Sequence, residues 1–388
     1  MSKFRLYLIS LYILIFWILG VIDLITRILI NLNLPIIPFS KLFFGIIPAF
    51  YIIQYRGVKS SDLKFIVLTV LLILWITYFE RIILNETGNI FLIEQLFFIG
   101  LYFITIKKIH IGGKTKNAIE NLIIFSGLFY AVLSYLIYFG ILHLSGTSEF
   151  QLGIERARLN LVNINHVSYL SALAIAISFN KLNRREMSRA VFFMILIFEI
   201  SIIIINSSRG ALLFVLLVLL INLINFKKFQ LKVILIFLVL LLIVSFINIK
   251  QLDIFYRMTS ELEDINSLGR TEQIMANWEN IYSNPILGVG YSKAAKTTWA
   301  NYAWSNNSFT QILAAYGVIF WLLLILGFFR KMFWPGIRYL NRELLTLFAF
   351  VIIFYFFNRL FLYPVILAYF LSNSIMIKRI NNDKVLNK

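Results

Sequence analysis

The string NSSRGALLF, Asn206 to Phe214, separates two long apolar runs, residues 190–206 and 210–226. A helix needs about 20 mostly apolar residues, within a range of roughly 17 to 25, to cross a bilayer. The string therefore reads as a polar reversal between two membrane helices, with one arginine at the lip of the second. The same reading along the chain marks about twelve spans: 6–29, 36–54, 65–84, 90–106, 119–144, 162–179, 190–206, 210–226, 231–249, 307–329, 344–357 and 360–377. Composition agrees, since 60% of the 388 residues are hydrophobic and only 14% charged, with a mean hydropathy of +0.86. The polar breaks show no strand alternation, and there is no internal repeat. The expected fold is all-α: a polytopic integral membrane protein, residues 1–388 forming a single membrane domain.

The same composition removes several kinds of chemistry. With no cysteine there is no disulfide, thiolate metal site or cysteine nucleophile, and His110, His143 and His166 lack metal-ligand spacing. No metal and no cofactor are expected. Cytoplasmic loops of membrane proteins are enriched in Lys and Arg. Placing both termini in the cytoplasm puts a basic cluster in every inner segment, among them Lys107, Lys108, Lys114 and Lys116, then Lys181, Arg184, Arg185 and Arg189, accounting for 24 of the 36 basic residues. The first span has a basic flank but no small-residue cleavage site, and reads as a retained anchor. The net charge of +18 then follows from topology and contact with anionic lipid, without a nucleic-acid partner.

The other twelve cations fall in the outer half or outside, where arginine outnumbers lysine by eight to four. Arginine presents a planar fork that matches phosphate oxygens, which suits a lipid-linked diphosphate. Snorkelling, or pairing with Asp23, Glu80, Glu94 or Glu155, would place single arginines there as well; Arg81 beside Glu80 suggests such a pair. One external segment, residues 250–306 between the ninth and tenth spans, is much longer than the others. Long ordered loops usually carry function. Within it, RTEQIMANWENIY (residues 270–282) places Ile274, Trp278 and Ile281 on one helical face, predicting a short amphipathic helix on the outer leaflet. Pro285 ends it, and Gly288 and Gly290 permit a tight reversal. GVGYSK lacks the spacing of a phosphate-cradling loop. Trp299, Tyr302 and Trp304 then approach the amides of Asn306 and Asn307, an arrangement suited to sugar faces and hydroxyls, although an interfacial aromatic belt explains the rings equally.

The order of these pieces carries a resemblance. SSRGA at a span boundary, GR followed by W and NPILGVG, and an Asn-Asn-Ser-Phe segment opening a span with AAYG soon after, resemble the bacterial O-antigen ligase and polysaccharide polymerase superfamily. Upstream, ERARLNLVNINHVSYLSALA (residues 155–174) resembles that family's arginine-containing stretch and Asn-rich helix start. The resemblance spans about residues 155 to 318 and implies an outward-facing, metal-independent glycosyltransferase using an undecaprenyl-diphosphate-linked oligosaccharide, with inversion. It implies that Arg209 and Arg270 hold the donor diphosphate. Arg156, Arg158, Asn165, Asn307, Trp278 and Trp304 are the accompanying substrate-binding candidates.

One departure matters. Where ligases have His-Asn, this chain has Asn306-Asn307. An asparagine positions a hydroxyl but does not take its proton at neutral pH. His166, Glu272 and Glu279 are the alternatives as base; His166 also reads as a helix-end hydrogen-bonding residue and the glutamates as solvated. Glu199, inside a span, is costly to leave unpaired and is expected to bond to a neighbouring helix. The leading expectation is a polymerase that moves a growing glycan from its lipid diphosphate onto the next lipid-linked repeat unit, with a chain-length regulator as a candidate partner. Ligation to lipid A core is the runner-up, and transport or flipping of lipid-linked sugars the alternative from another class. The topology makes its own prediction. A reporter fused after Lys116 or Arg189 should read cytoplasmic and one near Lys293 external; a cytoplasmic signal at Lys293 would overturn the orientation.

Overall fold

The computed structural model describes residues 60–84, 93, 96, 113–139, 141, 148–151, 154–157, 164–206, 208–223, 270–295, 308–324, 326 and 342–357. Their elements are α1 (Ser60–Thr77) running into a π-helical turn (Tyr78–Ile83), α2 (Gly113–Tyr138), a hairpin of β1 (Ser148–Gln151) and β2 (Ile154–Ala157), α3 (Ile164–Asn183), α4 (Arg189–Ile205), α5 (Arg209–Leu223), α6 (Arg270–Ser283), α7 (Tyr291–Ala295), α8 (Ser308–Leu324) and α9 (Arg342–Phe357). Each expected span that falls mainly on described residues is helical. The spans expected at 6–29, 36–54, 231–249 and 360–377 lie outside the described residues, as does nearly all of 90–106. Among the described residues no helix is long and apolar enough to cross a membrane, so the multi-pass arrangement stays an expectation of the sequence.

The hairpin departs from the all-helical expectation. Its strands pair antiparallel with Gln151 opposite Ile154, leaving the two-residue connection Leu152-Gly153, and they set Glu149 opposite Arg156 in register. The strands are four residues each, too short for alternation to stand out in an apolar chain.

Helix α3 is the hub, packed against α2, α4, α5 and α9 and buried along nearly its whole length from Val167 to Lys181. Its run of Ala172, Ala174 and Ala176 with Ser168, Ser171 and Ser178 lets neighbouring backbones approach closely, as small residues do in membrane bundles. Gly127 of α2 serves the same end: a Cβ there would lie 2.8 Å from both the Ala174 Cβ and the Glu199 Oε1. Glu199, fully buried on α4, interacts with Ser171 of the neighbouring α3, and Gly127 of α2 leaves room for its carboxylate.

At one end of the bundle three of the cations expected to face cytoplasm and lipid, Lys116, Lys181 and Arg184, have partners within the protein. Lys116 of α2 bonds Glu343 at the start of α9 (2.5 Å), Arg184 bonds the buried Glu120 of α2 (2.5 Å) and also Glu343, and Lys181 donates to Asn121 (2.6 Å) and Asn117. Burial alone would raise the Glu343 carboxyl, but the Lys116 ammonium and the Arg184 guanidinium outweigh it and hold it below the ordinary carboxylate value. Burial lowers Lys181, and Glu120 and Glu186 offset that only in part. α3 reaches this cluster through a C-terminal reversal in which Arg185 adopts φ 63°, while the Arg185 and Glu186 N–H groups bond back to the Leu182 and Lys181 carbonyls (3.0 and 2.9 Å).

Helix α8 is interrupted at Gly317 (φ 74°, ψ 178°). In a continuous helix the Val318 N–H would bond the Ala314 carbonyl. Instead it donates to the Pro285 carbonyl (2.8 Å), while the Ala314 and Ala315 carbonyls accept from the Val289 and Gly290 N–H groups (2.9 Å each). The loop after α6 thus fills the break in α8. A Cβ on Gly317 would collide with the Ile286 carbonyl oxygen, and one on Gly288 (φ 80°) with the Ala315 carbonyl oxygen. Gly317→Ala and Gly288→Ala should therefore each cost about 1–3 kcal/mol, measurable as a lowered melting temperature in detergent. An unchanged melt in either would contradict the docked loop.

Candidate active site

The turn between α4 and α5 is set by backbone bonds. The Asn206 N–H returns to the Ile202 carbonyl (2.9 Å) and the Ser208 N–H to Ile203 (3.2 Å), and the Leu212 N–H to the Ser208 carbonyl (3.1 Å) opens α5. Ser208 is the N-cap position and Arg209 the first helical residue. Asn206 and Ser208 are buried, so the turn is fixed in the packed interior. The first N–H groups of a helix lack internal partners and its dipole favours anions. Arg209 is the first residue of this helix.

Other candidates share this end of the bundle. Val167 of α3 packs with Ile202 of α4 and Ala131 of α2, with Ile205 against them. Because α3 runs from there to the Lys181–Asn117 contact at the other end, its first turn, with Asn165 and His166, belongs with the α4–α5 turn. β2, which carries Arg156, packs on α2. The backbone at 156, 165, 166 and 209 is described, their side chains are not, and Arg158 lies outside the described residues.

The second part of the candidate site is the segment expected from the sequence to be external. α6 forms over Arg270–Ser283 as the spacing predicts, and stops before Pro285. Its orientation corrects the expected face. Asn277 and Ile281 are buried against α8 and Ile274 half-buried, whereas Trp278 is exposed beside Met275 and Tyr282, its ring 6.0 Å from that of Tyr282. One residue turns a helix by about 100°, so centring the buried face on Asn277 swings Trp278 outward. A polar residue at the buried centre hid this from the hydrophobic pattern. Arg270 opens the described helix, its side chain undescribed; Glu279 is exposed, as a solvated carboxylate would be; Trp304, Asn306 and Asn307 lie outside the described residues.

The glycine loop is not a phosphate cradle. Its Gly288, Val289 and Gly290 N–H groups bond the Asn284, Ala314 and Ala315 carbonyls. What the sequence did not show is the role of Glu80. This residue, 1% exposed in the π-turn after α1, accepts hydrogen bonds from the Tyr316 hydroxyl (2.8 Å) and the Tyr291 N–H (3.2 Å). Tyr316 immediately precedes the break in α8, and Tyr291 opens α7. One carboxylate oxygen thus ties the loop and the broken helix to α1. The available signal was a glutamate inside an apolar span, since such residues find partners; the partners themselves lie more than two hundred residues away.

Residues 190–325 match a protein-family model described as O-antigen ligase. The matched segment runs from α4 through α8, taking in Arg209, Arg270, Trp278, Trp304, Asn306 and Asn307, and leaves Arg156, Arg158, Asn165 and His166 upstream. A search of the curated proteins finds no match.

Removing the Glu80 carboxylate leaves a buried hydroxyl and a buried N–H without their acceptor. Each such group costs about 1–3 kcal/mol. Glu80→Ala should lower the melting temperature and expose the 284–295 loop to protease, while Glu80→Gln, which keeps an acceptor oxygen, should do so less. Equal protease resistance in parent and Glu80→Ala would rule out the tie.

Proposed function

From the match over residues 190–325, which supports the O-antigen ligase and polysaccharide polymerase superfamily, we propose that this protein is a polysaccharide polymerase of the bacterial plasma membrane. Enzymes of this superfamily are glycosyltransferase-like membrane proteins of bacteria that act on lipid-linked oligosaccharides. The acceptor hydroxyl of a lipid-linked repeat unit attacks the anomeric carbon of a glycan held on undecaprenyl diphosphate. The new glycosidic C–O bond forms as the bond to the diphosphate breaks, with inversion, and the hydroxyl proton leaves to a base or to water. The lipid diphosphate departs with the negative charge.

The observation that carries this reading is the placement of Arg209 as first residue of α5, inside the matched segment. Charge develops on the leaving diphosphate, and preorganised cations and N–H groups aimed at developing charge are among the strongest catalytic contributions. Arg270 supplies the second cation, and Asn306 orients the acceptor. His166, at the same end as Arg209, is the candidate base; Arg156, Arg158, Asn165, Asn307, Trp278 and Trp304 engage sugars and phosphate. The twelve-span topology with cytoplasmic termini places this end outside and the ion-paired end, with Lys116 and Arg184, inside. Ligation to a lipid A core is the second reading, favoured by the description of the matched family; Asn306, standing where ligases have histidine, favours the polymerase.

Arg209→Ala and Arg270→Ala should abolish polymer while the protein still accumulates in the membrane, and Lys should rescue poorly because it lacks the fork. Asn306→Ala should slow polymerisation of a purified lipid-linked repeat unit about 10- to 1000-fold, with activity in the parent persisting in chelator. Normal polymer in both arginine variants would sink the diphosphate assignment. A His166→Ala variant that is folded but inert would place the base on α3.

A further inference from the structure

Two contacts fix how α6 runs against α8. The Asn277 side-chain amide donates to the Thr310 hydroxyl (3.1 Å), and the Val318 N–H donates to the Pro285 carbonyl (2.8 Å). Both join positions 33 apart in the chain, so α6 and the first half of α8 run side by side in the same direction. The chain then reverses at Ile286 and Leu287, because the Val289 and Gly290 N–H groups return to the Ala314 and Ala315 carbonyls (2.9 Å each). Residues 286 and 287 are therefore the tip of a hairpin laid along α8, level with its break at Gly317. α6 stands beside α8 rather than lying flat across a surface.

Exposure on α8 changes at that same level. From Gln311 to Gly317 every residue is buried except the half-buried Leu313, whereas Val318, Ile319, Leu322 and Leu323 are exposed. The hairpin thus ends where a bare aliphatic face begins, and its own exposed side continues that face. Met275, Trp278 and Tyr282 follow one stripe of α6 at i, i+3 and i+7. All three are exposed, as are Ile286 and Leu287 at the tip. Glu279 and Ser283 fall on the next flank, where Ser283 donates its hydroxyl to the Asn280 carbonyl (2.9 Å). Along the stripe toward the bare end of α8, rings that carry a polar atom, Trp278 and Tyr282, give way to purely aliphatic side chains. A bilayer changes in the same order, from the boundary where Trp and Tyr gather to the hydrocarbon. A protein partner imposes no such order.

We infer that the hairpin tip, Ile286 and Leu287, inserts into a lipid bilayer, with Trp278 and Tyr282 at the headgroup boundary and the bare face of α8 in the hydrocarbon. The inference rests on the membrane placement that the match over residues 190–325 supports, and holds for polymerase and ligase alike. Backbone groups around the tip already have protein partners: the Pro285 carbonyl and the Gly288, Val289 and Gly290 N–H groups are all bonded. That lowers the cost of placing the tip in lipid. The bilayer then supports α6 from the side that α8 leaves open, and sets its height relative to the lipid.

The chain has no cysteine, so single cysteines can carry a spin label in the full-length protein, reconstituted in nanodiscs of phosphatidylethanolamine and phosphatidylglycerol. Ile286→Cys samples the tip, Tyr282→Cys the ring level, Glu279→Cys the polar flank and Leu322→Cys the bare face of α8. All four side chains are exposed, so a label there needs no repacking. Collisions with oxygen, which concentrates in lipid, and with a water-soluble nickel chelate report depth. The label at 286 should lie about 5–10 Å inside the headgroup boundary, with 282 at the boundary, 322 deeper and 279 in water. Adding Ile286→Asp should move the 282 label toward water. A 286 label as open to nickel as the one at 279, or shielded from both probes as under a protein partner, would overturn the insertion. A 322 label in water would instead overturn the membrane placement itself. Should the tip variant fail to accumulate, the fluorescence lost in Trp278→Phe gives the answer: it should be quenched by lipid brominated near the headgroup, and an unquenched Trp278 would overturn the inference.

Discussion

The exchange of backbone bonds at Gly317 is the constraint on which the packing of α6, α7 and α8 depends. An interrupted helix leaves N–H and carbonyl groups without partners, and in an apolar setting these must be met by other protein groups. Here the segment 285–290 meets them. That segment joins α6 to α7, so fixing it against α8 fixes α6 as well, and with it the start of the described helix at Arg270. Glu80 extends the same constraint to α1. A local break in one helix thereby sets the position of another helix more than thirty residues earlier in the chain.

The two ends of the bundle differ in the kind of interaction they use. At the end holding Lys116, Arg184 and Glu343, cations meet carboxylates directly, and Arg184 is raised above its ordinary value because its carboxylate partners outweigh the burial that opposes its charge. Such a cluster is closed, since each charge already has its counter-charge. At the other end Arg209 opens a helix, adding to a dipole that already favours anions. The closed network holds α2, α3 and α9 in place, while at the other end the buried α4–α5 turn is held by backbone bonds.

Much of the helical organisation was legible because long apolar runs leave few alternatives, and the boundaries at Arg189, Arg209 and Ser308 fall within a few residues of those read from hydropathy. NPILGVG and AAYG were legible as turn and motif. Their mutual docking was not, since nothing in either string says that a carbonyl of one will meet an N–H of the other. The hairpin escaped notice because its strands are short, and the buried face of α6 was misassigned because Asn277 lies at its centre. Arg209 stood out as the one cation between two apolar runs. Glu80 did not, because its adjacent arginine offered a simpler partner than tyrosines far along the chain.

The loop and the broken helix meet glycine against backbone, at Gly288 against Ala315 and at Gly317 against Ile286. This sets the terms on which the region can evolve. Where two side chains touch, a larger residue on one side can be balanced by a smaller one on the other. A carbonyl oxygen cannot be made smaller, and the residue that contributes it can change without relieving the contact. Drift at either glycine therefore has no partner position from which a compensating change could come, and the loop and helix can vary around these two residues but not through them.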